Sequence, residues 1–155
     1  MTPAINAARK AEITHKVHEY FHDPSSESYG KEAAEKLGLP ANRVFKTLLV
    51  HIDNNAFAVS VMPVSSLLSM KRMAKAVGAK KVAMAVPSDV ERVTGYVLGG
   101  VSPLGQKKRL RTIIDSSAQG FATIYVSAGR RGLEIELSPQ DLKKLTGGIF
   151  AEIGQ

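Results

Sequence analysis

Residues 44–62 constrain this chain more than any other stretch. Val44-Phe45-Lys46-Thr47-Leu48-Leu49-Val50-His51-Ile52 is a long, β-branched-rich apolar run. Asp53-Asn54-Asn55 breaks it, and Ala56 to Met62 resumes it. Two such runs around an Asp/Asn turn predict an antiparallel hairpin. A chain with a hairpin at its centre must bury sheet faces, so helices and other strands have to supply the cover.

The flanking segments supply it in short pieces. Thr2-Pro3 predicts an N-cap with Pro at the first helical position, for a helix to about Lys10. Residues 15–22 predict a strand before the Asp23-Pro24 turn, and Lys31 to Leu37 a helix stopped by Gly38. Ser65 or Ser66 is the expected cap of a helix to Val77, and 81–86 is a short apolar run. Ser88-x-x-Glu91 predicts a capping box for a helix ending at Gly95. A Gly/Ser/Pro loop over 99–109 precedes expected strands at 111–115, 121–127 and 132–137. Ser138-Pro139 predicts a helix to near Gly147, and Ile149 to Ile153 a last strand. Strand and helix do not alternate strictly, which argues against a doubly wound parallel sheet. The expected fold is a single α/β domain over residues 1–155, with a mixed, curved, barrel-like sheet and short surrounding helices.

Composition narrows function. The 155 residues contain no cysteine, which removes disulfide frameworks, thiolate zinc sites and any protein thiol nucleophile. No apolar run approaches the ~20 residues of a membrane helix. The expectation is an intracellular, cytoplasmic protein. Lys and Arg outnumber Asp and Glu by 21 to 14, a net +7 that attracts polyanions. Trp is absent, so a broad stacking platform for single strands is not evident.

Several residues carry candidate chemistry. Alternation puts Lys46 on the face of Val44, Leu48 and Val50. There it either snorkels over apolar surface or points its ammonium into a pocket that holds a phosphate or carbonyl oxygen. Gly99-Gly100-Val101-Ser102-Pro103-Leu104-Gly105 is a glycine-rich loop whose backbone N–H groups can approach a ligand. It is not a Walker A loop, because Gln106 stands where the lysine should be. Lys107-Lys108-Arg109-Leu110-Arg111 either tracks a phosphate backbone or is a solvated face. Gly129-Arg130-Arg131-Gly132 matches the G-x-x-G of a KH loop, but it lies between strand-like runs and reads better as a hairpin turn. His15, His18 and His22 lack the spacing and companions of a metal site. A serine triad has no G-x-S-x-G elbow to stand on.

The ordered set Thr2-Pro3-Ala4, Lys46-Thr47-Leu48-Leu49-Val50, Ala79-Lys80-Lys81-Val82, Thr94-Gly95-Tyr96, the Gly99 to Lys108 loop and Arg131-Gly132-Leu133-Glu134-Ile135-Glu136-Leu137 resembles the YbaK/EbsC family. These are Cys-tRNA(Pro) deacylases related to the editing domain of bacterial prolyl-tRNA synthetase. The resemblance spans nearly the whole chain. It implies an aminoacyl-tRNA deacylase that clears cysteine mischarged on tRNA(Pro), in trans, with prolyl-tRNA synthetase as a partner and with no cofactor, metal or protein nucleophile. The substrate thiol attacks its own ester while the protein positions it and stabilises the oxyanion.

Residue by residue, the resemblance makes Lys46 the lysine at the terminal phosphate or adenosine, with Thr47 beside it. It places Tyr20, Gly99, Gly100 and Ser127 around the aminoacyl end. Glu134 stands where the family usually carries an Asp, one methylene shorter, with an expected contact to the substrate amino group. Lys107, Lys108 and Arg109 are the expected tRNA contacts. Two alternatives remain: a deacylase of the same fold for another small amino acid such as alanine, and a non-catalytic module that binds tRNA or the synthetase.

Overall fold

The computed structural model describes residues 1–26 and 28–155. Helix α1 (Pro3–Lys10) starts as expected, with the Thr2 hydroxyl accepting from Ile5 N–H at 3.2 Å. Strand β1 (His15–Glu19) follows, then α2 (Tyr29–Leu37), which begins two residues before the expected Lys31. The central hairpin forms from β2 (Phe45–Ile52) and β3 (Ala56–Pro63), in register from Phe45↔Pro63 to Ile52↔Ala56 around a 3₁₀ turn at Asp53–Asn55. Next come α3 (Met70–Val77), β4 (Val82–Met84), α4 (Pro87–Thr94), β5 (Arg111–Asp115), β6 (Ile124–Arg130), β7 (Leu133–Leu137), α5 (Pro139–Thr146) and β8 (Ile149–Ala151).

Several boundaries differ from expectation for identifiable reasons. Ser69, not Ser65 or Ser66, caps α3, accepting from Arg72 N–H at 3.1 Å. Helix α4 starts at Pro87 after Val86, so Ser88 lies inside the helix and its capping box does not form. Strand β1 stops at Glu19, before the chain turns and Asp23 N–H bonds the buried Glu32 carboxylate at 2.7 Å. A 3₁₀ turn at Ser116–Gly120 delays β6 to Ile124, and a register shift between Ser127 and Arg130 carries it on into the turn. The last strand ends at Ala151 because Ile153 N–H goes to Asp115 Oδ1 at 3.0 Å. Gly129 to Gly132 is a hairpin turn between β6 and β7, as expected.

The expected barrel-like closure is corrected by two separate sheets. One is antiparallel, in the order β1-β7-β6. The other is mixed, in the order β4-β2-β3-β5-β8, with β3, β5 and β8 parallel. They meet at one isolated bridge, Val44↔Tyr125. The main core fills the space between them, with Phe45, Leu49, Val61, Ile114, Val126 and Ile135 all buried. Helix α3 covers the other face of the five-stranded sheet through Met73, Ala74 and Val77. Helix α2 covers the seam, its Ala33 and Ala34 packing with Val44 and Tyr125.

The incomplete closure positions the site. Strand β4 pairs with β2 only over Val50 to Ile52, and β6 touches it only at Val44. Beyond β4, Ala85 N–H donates to Leu49 carbonyl at 3.0 Å, and the edge left between, from Phe45 to Leu48, lines a cleft with Leu49 at its end.

Candidate active site

The cleft has a volume of about 310 Å³. Residues Phe45 to Leu49 form one wall, and the first turn of α2 (Ser28, Tyr29, Gly30) a second. Leu98, Gly99 and Val101 form a third, and Tyr20 with Ser127, Arg130, Arg131 and Glu134 closes it. Four of the expected aminoacyl-site residues, Tyr20, Gly99, Ser127 and Glu134, therefore converge with Lys46 and Thr47, although 114 positions separate Tyr20 from Glu134 in the chain.

Lys46 meets both of its sequence alternatives. Its side chain is half-buried, and its ammonium donates to Ser66 carbonyl at 2.6 Å while lining the cleft. Burial, and then the nearby Lys31, pull its pKa below the ordinary lysine value. A cation already disfavoured by its surroundings gains from an incoming anion. Thr47 lines the same wall, and its Oγ1 is buried without a partner among the described residues.

Glu134 is opposite in character. The register puts it across from Ser127 on β6 and His18 on β1. It is 6% exposed and has no hydrogen-bond or ion-pair partner among the described residues. Burial pushes its carboxyl up to about 8. It is therefore mostly protonated at neutral pH, and a cation arriving beside it would draw the proton off. Burial also raises the Tyr20 phenol, with Glu134 adding to the shift. Ser127 Oγ accepts from Gly129 N–H at 3.2 Å, which fixes the hydroxyl at the bulge.

Gly99 is required by its surroundings. Its φ is +90°, and a Cβ there would lie 2.5 Å from Tyr29 Cε2 and 2.8 Å from Arg131 Nε. Arg131 stacks 4.0 Å from the centre of the Tyr29 ring and donates to Leu98 carbonyl at 2.9 Å. This clamp joins α2, the β6–β7 turn and the glycine loop at the cleft.

Gly100 is placed differently from expectation. It is buried behind the wall against Arg130, and its N–H already donates to Val97 carbonyl at 2.9 Å. Its amide is therefore not a free donor to a substrate. Lys107, Lys108 and Arg109 are exposed and lie outside the cleft.

The histidines have partners of their own. His15 Nδ1 sits 2.8 Å from Ile13 carbonyl, His18 Nε2 2.9 Å from Glu136, and His22 Nδ1 2.7 Å from Glu32. Sequence reasoning missed Tyr29 and Arg131. Arg131 stands in the Arg131 to Leu137 segment that carries the family resemblance, but neither that segment nor the paired arginines of the turn assigns it a role at the site. Nothing local marked Tyr29.

A family model described as an aminoacyl-tRNA editing domain matches residues 23–145. An Enterococcus faecalis protein, "Putative Cys-tRNA(Pro)/Cys-tRNA(Cys) deacylase EbsC", is 40% identical over 152 residues, covering 98% of this chain and 92% of that protein. A proline--tRNA ligase of Geobacter metallireducens is 30% identical over 106 residues, which is 68% of this chain but only 18% of the ligase. In fold, the chain is similar to a solved structure described as "a putative trans-editing enzyme for prolyl tRNA synthetase", with a TM-score of 0.83, 24% identity and 99% of that chain covered. The match to most of the chain and the near full-length similarity to EbsC agree: this chain belongs to the aminoacyl-tRNA editing domain family.

Proposed function

We propose that this aminoacyl-tRNA deacylase removes cysteine mischarged on tRNA(Pro), acting in trans. The observation that carries the reading is the pairing within one cleft of a buried carboxyl, Glu134, unpartnered among the described residues, and a half-buried cation, Lys46. An aminoacyl ester on a nucleotide has matching charges: an α-ammonium for Glu134 and a phosphate for Lys46. A cleft of this size suits one aminoacyl group with its terminal nucleotide.

The proposed chemistry uses the substrate's own thiol. The thiolate attacks the ester carbonyl, the C–S bond forms and the C–O bond to the ribose breaks. The ribose oxygen takes up a proton, leaving free tRNA and a four-membered thiolactone that water then opens. The protein contributes orientation and charge stabilisation. Ser127 and Tyr20 orient the aminoacyl end, and Glu134 holds its ammonium. With Gly100 N–H already bonded, the backbone N–H groups of Gly99 and Val101, which line the cleft, are the oxyanion donors this reading assigns to that loop. Alanine, the alternative substrate, has no thiol and would need an activated water.

A deacylation panel tests this, using Cys-, Ser-, Ala- and Pro-tRNA(Pro) with Cys-tRNA(Cys). Serine is nearly isosteric with cysteine, but its hydroxyl is a much weaker nucleophile than a thiol of pKa about 8.5. The seryl ester is expected to bind and turn over far more slowly. Seryl and cysteinyl esters cleaved at equal rates would replace the thiol mechanism by an activated water. Similarity to part of several proline--tRNA ligases supports prolyl-tRNA synthetase as the partner. Sedimentation of the mixed proteins with tRNA(Pro) checks that association.

A further inference from the structure

The described residues enclose a second, smaller hollow of about 190 Å³ on the far side of the glycine loop. Pro103, Gly105, Gln106, Lys108, Arg109 and Thr146 are among its lining, which contains no carboxylate. Lys107, Lys108 and Arg109 are exposed, and none has a carboxylate within ion-pair distance among the described residues. Arg109 is placed beside the end of α5. Its guanidinium lies over Gly147 at the end of α5, where a Cβ would come within 2.5 Å of Nη2. Gly147 has φ +67°, so the backbone leaves this space open for Arg109. The guanidinium lies at the rim of the hollow with no hydrogen-bond or ion-pair partner among the described residues, so its donors can meet an anion there.

The hollow and the cleft share one wall. Gly99 and Val101 line the cleft, while Pro103 and Gly105 line the hollow. Val101 and Pro103 can be no more than about 7 Å apart along the chain. The wall is stiff. Tyr96 OH donates to Leu104 carbonyl at 2.6 Å, Gln106 Nε2 to Ser102 carbonyl at 2.9 Å, and Leu104 N–H to Ser102 Oγ at 3.2 Å. Gly105 packs so closely on Pro3 that a Cβ would meet its carbonyl at 2.5 Å. The spacing between the two depressions is therefore set by the fold.

We infer that the hollow at Lys108 and Arg109 is a separate phosphodiester site, which grips the RNA backbone upstream of the aminoacyl end seated in the cleft. The inference rests on the reading of the cleft as the aminoacyl site. Its function is to hold the strand in place by charge, without reading base sequence. RNA fits better than an acidic protein surface because the hollow and the proposed aminoacyl cleft share one wall, so a single strand can reach both.

The test is the salt dependence of binding for an uncharged acceptor-stem hairpin RNA ending in CCA. Lys108→Gln/Arg109→Gln is compared with wild type and with Lys71→Gln/Lys75→Gln, which removes the same charge from exposed positions on α3. Each lost phosphate contact lowers the log–log slope by about 0.7–0.9. The hollow variant is expected to lose about 1.4–1.8 in slope, and the α3 variant much less. An unchanged slope, or an equal drop in both variants, overturns the site. Competition by polyglutamate as strong as by RNA of equal charge also overturns it, in favour of an acidic protein. A second arm compares cysteinyl-tRNA with cysteinyl-adenosine, where the hollow variant should raise KM only for the tRNA. Wild-type protein inactive on both esters would remove the deacylase reading, while the binding slopes would still decide the hollow.

Discussion

Replacing Glu134 by glutamine is expected to stabilise the free protein at alkaline pH while impairing it as a deacylase. The carboxyl is 6% exposed and has no partner among the described residues, and burial moves it from 4.5 to about 8. Below pH 4.5 it is protonated in the folded and unfolded states alike, so it makes no difference to stability. Between pH 4.5 and 8 the unfolded chain has released this proton and the folded chain still holds it. Folding stability therefore falls by about 1.4 kcal/mol per pH unit across that window and levels off above it. The accumulated penalty is on the order of 5 kcal/mol by about pH 8. A glutamine side chain does not titrate, so the Glu134→Gln variant escapes it. Other carboxyls act with the opposite sign: hydrogen bonds from Ser25 hold the exposed Asp23 low, hydrogen bonds and neighbouring cations hold Glu32 and Glu136 low despite burial, and their contribution is lost on acidification. They are common to both proteins and cancel in the difference. Urea unfolding at about pH 4, 6, 7 and 8 is the assay. With a slope of about 1–3 kcal/mol/M, the midpoints should coincide near pH 4 and separate by at least about 1.5 M near pH 8. Parallel midpoints across the range would refute the argument that Glu134 is a buried, unpaired acid. In activity, loss of a charge-assisted bond to the ammonium is worth about 1.5–3 kcal/mol, or roughly 10- to 150-fold in kcat/KM.

Lys46→Ala should lower deacylation by roughly 30- to 1000-fold, matching about 2–4 kcal/mol of lost charge-assisted bonding to phosphate. Near wild-type turnover by the folded variant would remove Lys46 from the site. Gly99→Ala should cost about 2–5 kcal/mol, since it adds an L side chain at φ +90° and drives a Cβ to 2.5 Å from the Tyr29 ring. A melting temperature within one or two degrees of wild type would show that Tyr29 and Arg131 are not clamped against the loop.

The sequence by itself determined the local pieces and most of the candidate residues. Thr2 with Pro3 and Ser138 with Pro139 start helices because a hydroxyl and a fixed φ satisfy the first turn without outside help. The central hairpin followed from two apolar runs and an Asp/Asn turn. Lys46, Tyr20, Thr47, Gly99, Ser127 and Glu134 were legible because their order along the chain resembles a known family, and all six line the cleft. What tertiary structure decided was everything that depends on which edges remain unpaired. Periodicity assigns faces to a strand but says nothing of its second neighbour. The sheets thus met at one bridge instead of closing, and the Phe45 to Leu48 edge was left open as the cleft. The same holds for polar groups. A glycine-rich loop offers N–H groups in sequence, but only the folded loop shows that Gly100 has spent its own on Val97. Tyr29 and Arg131 lie 102 positions apart, and only packing against Gly99 brings them together. Glu134 reads as an ordinary outward residue of an alternating strand. In the fold it is a buried acid lining the cleft, with no partner among the described residues.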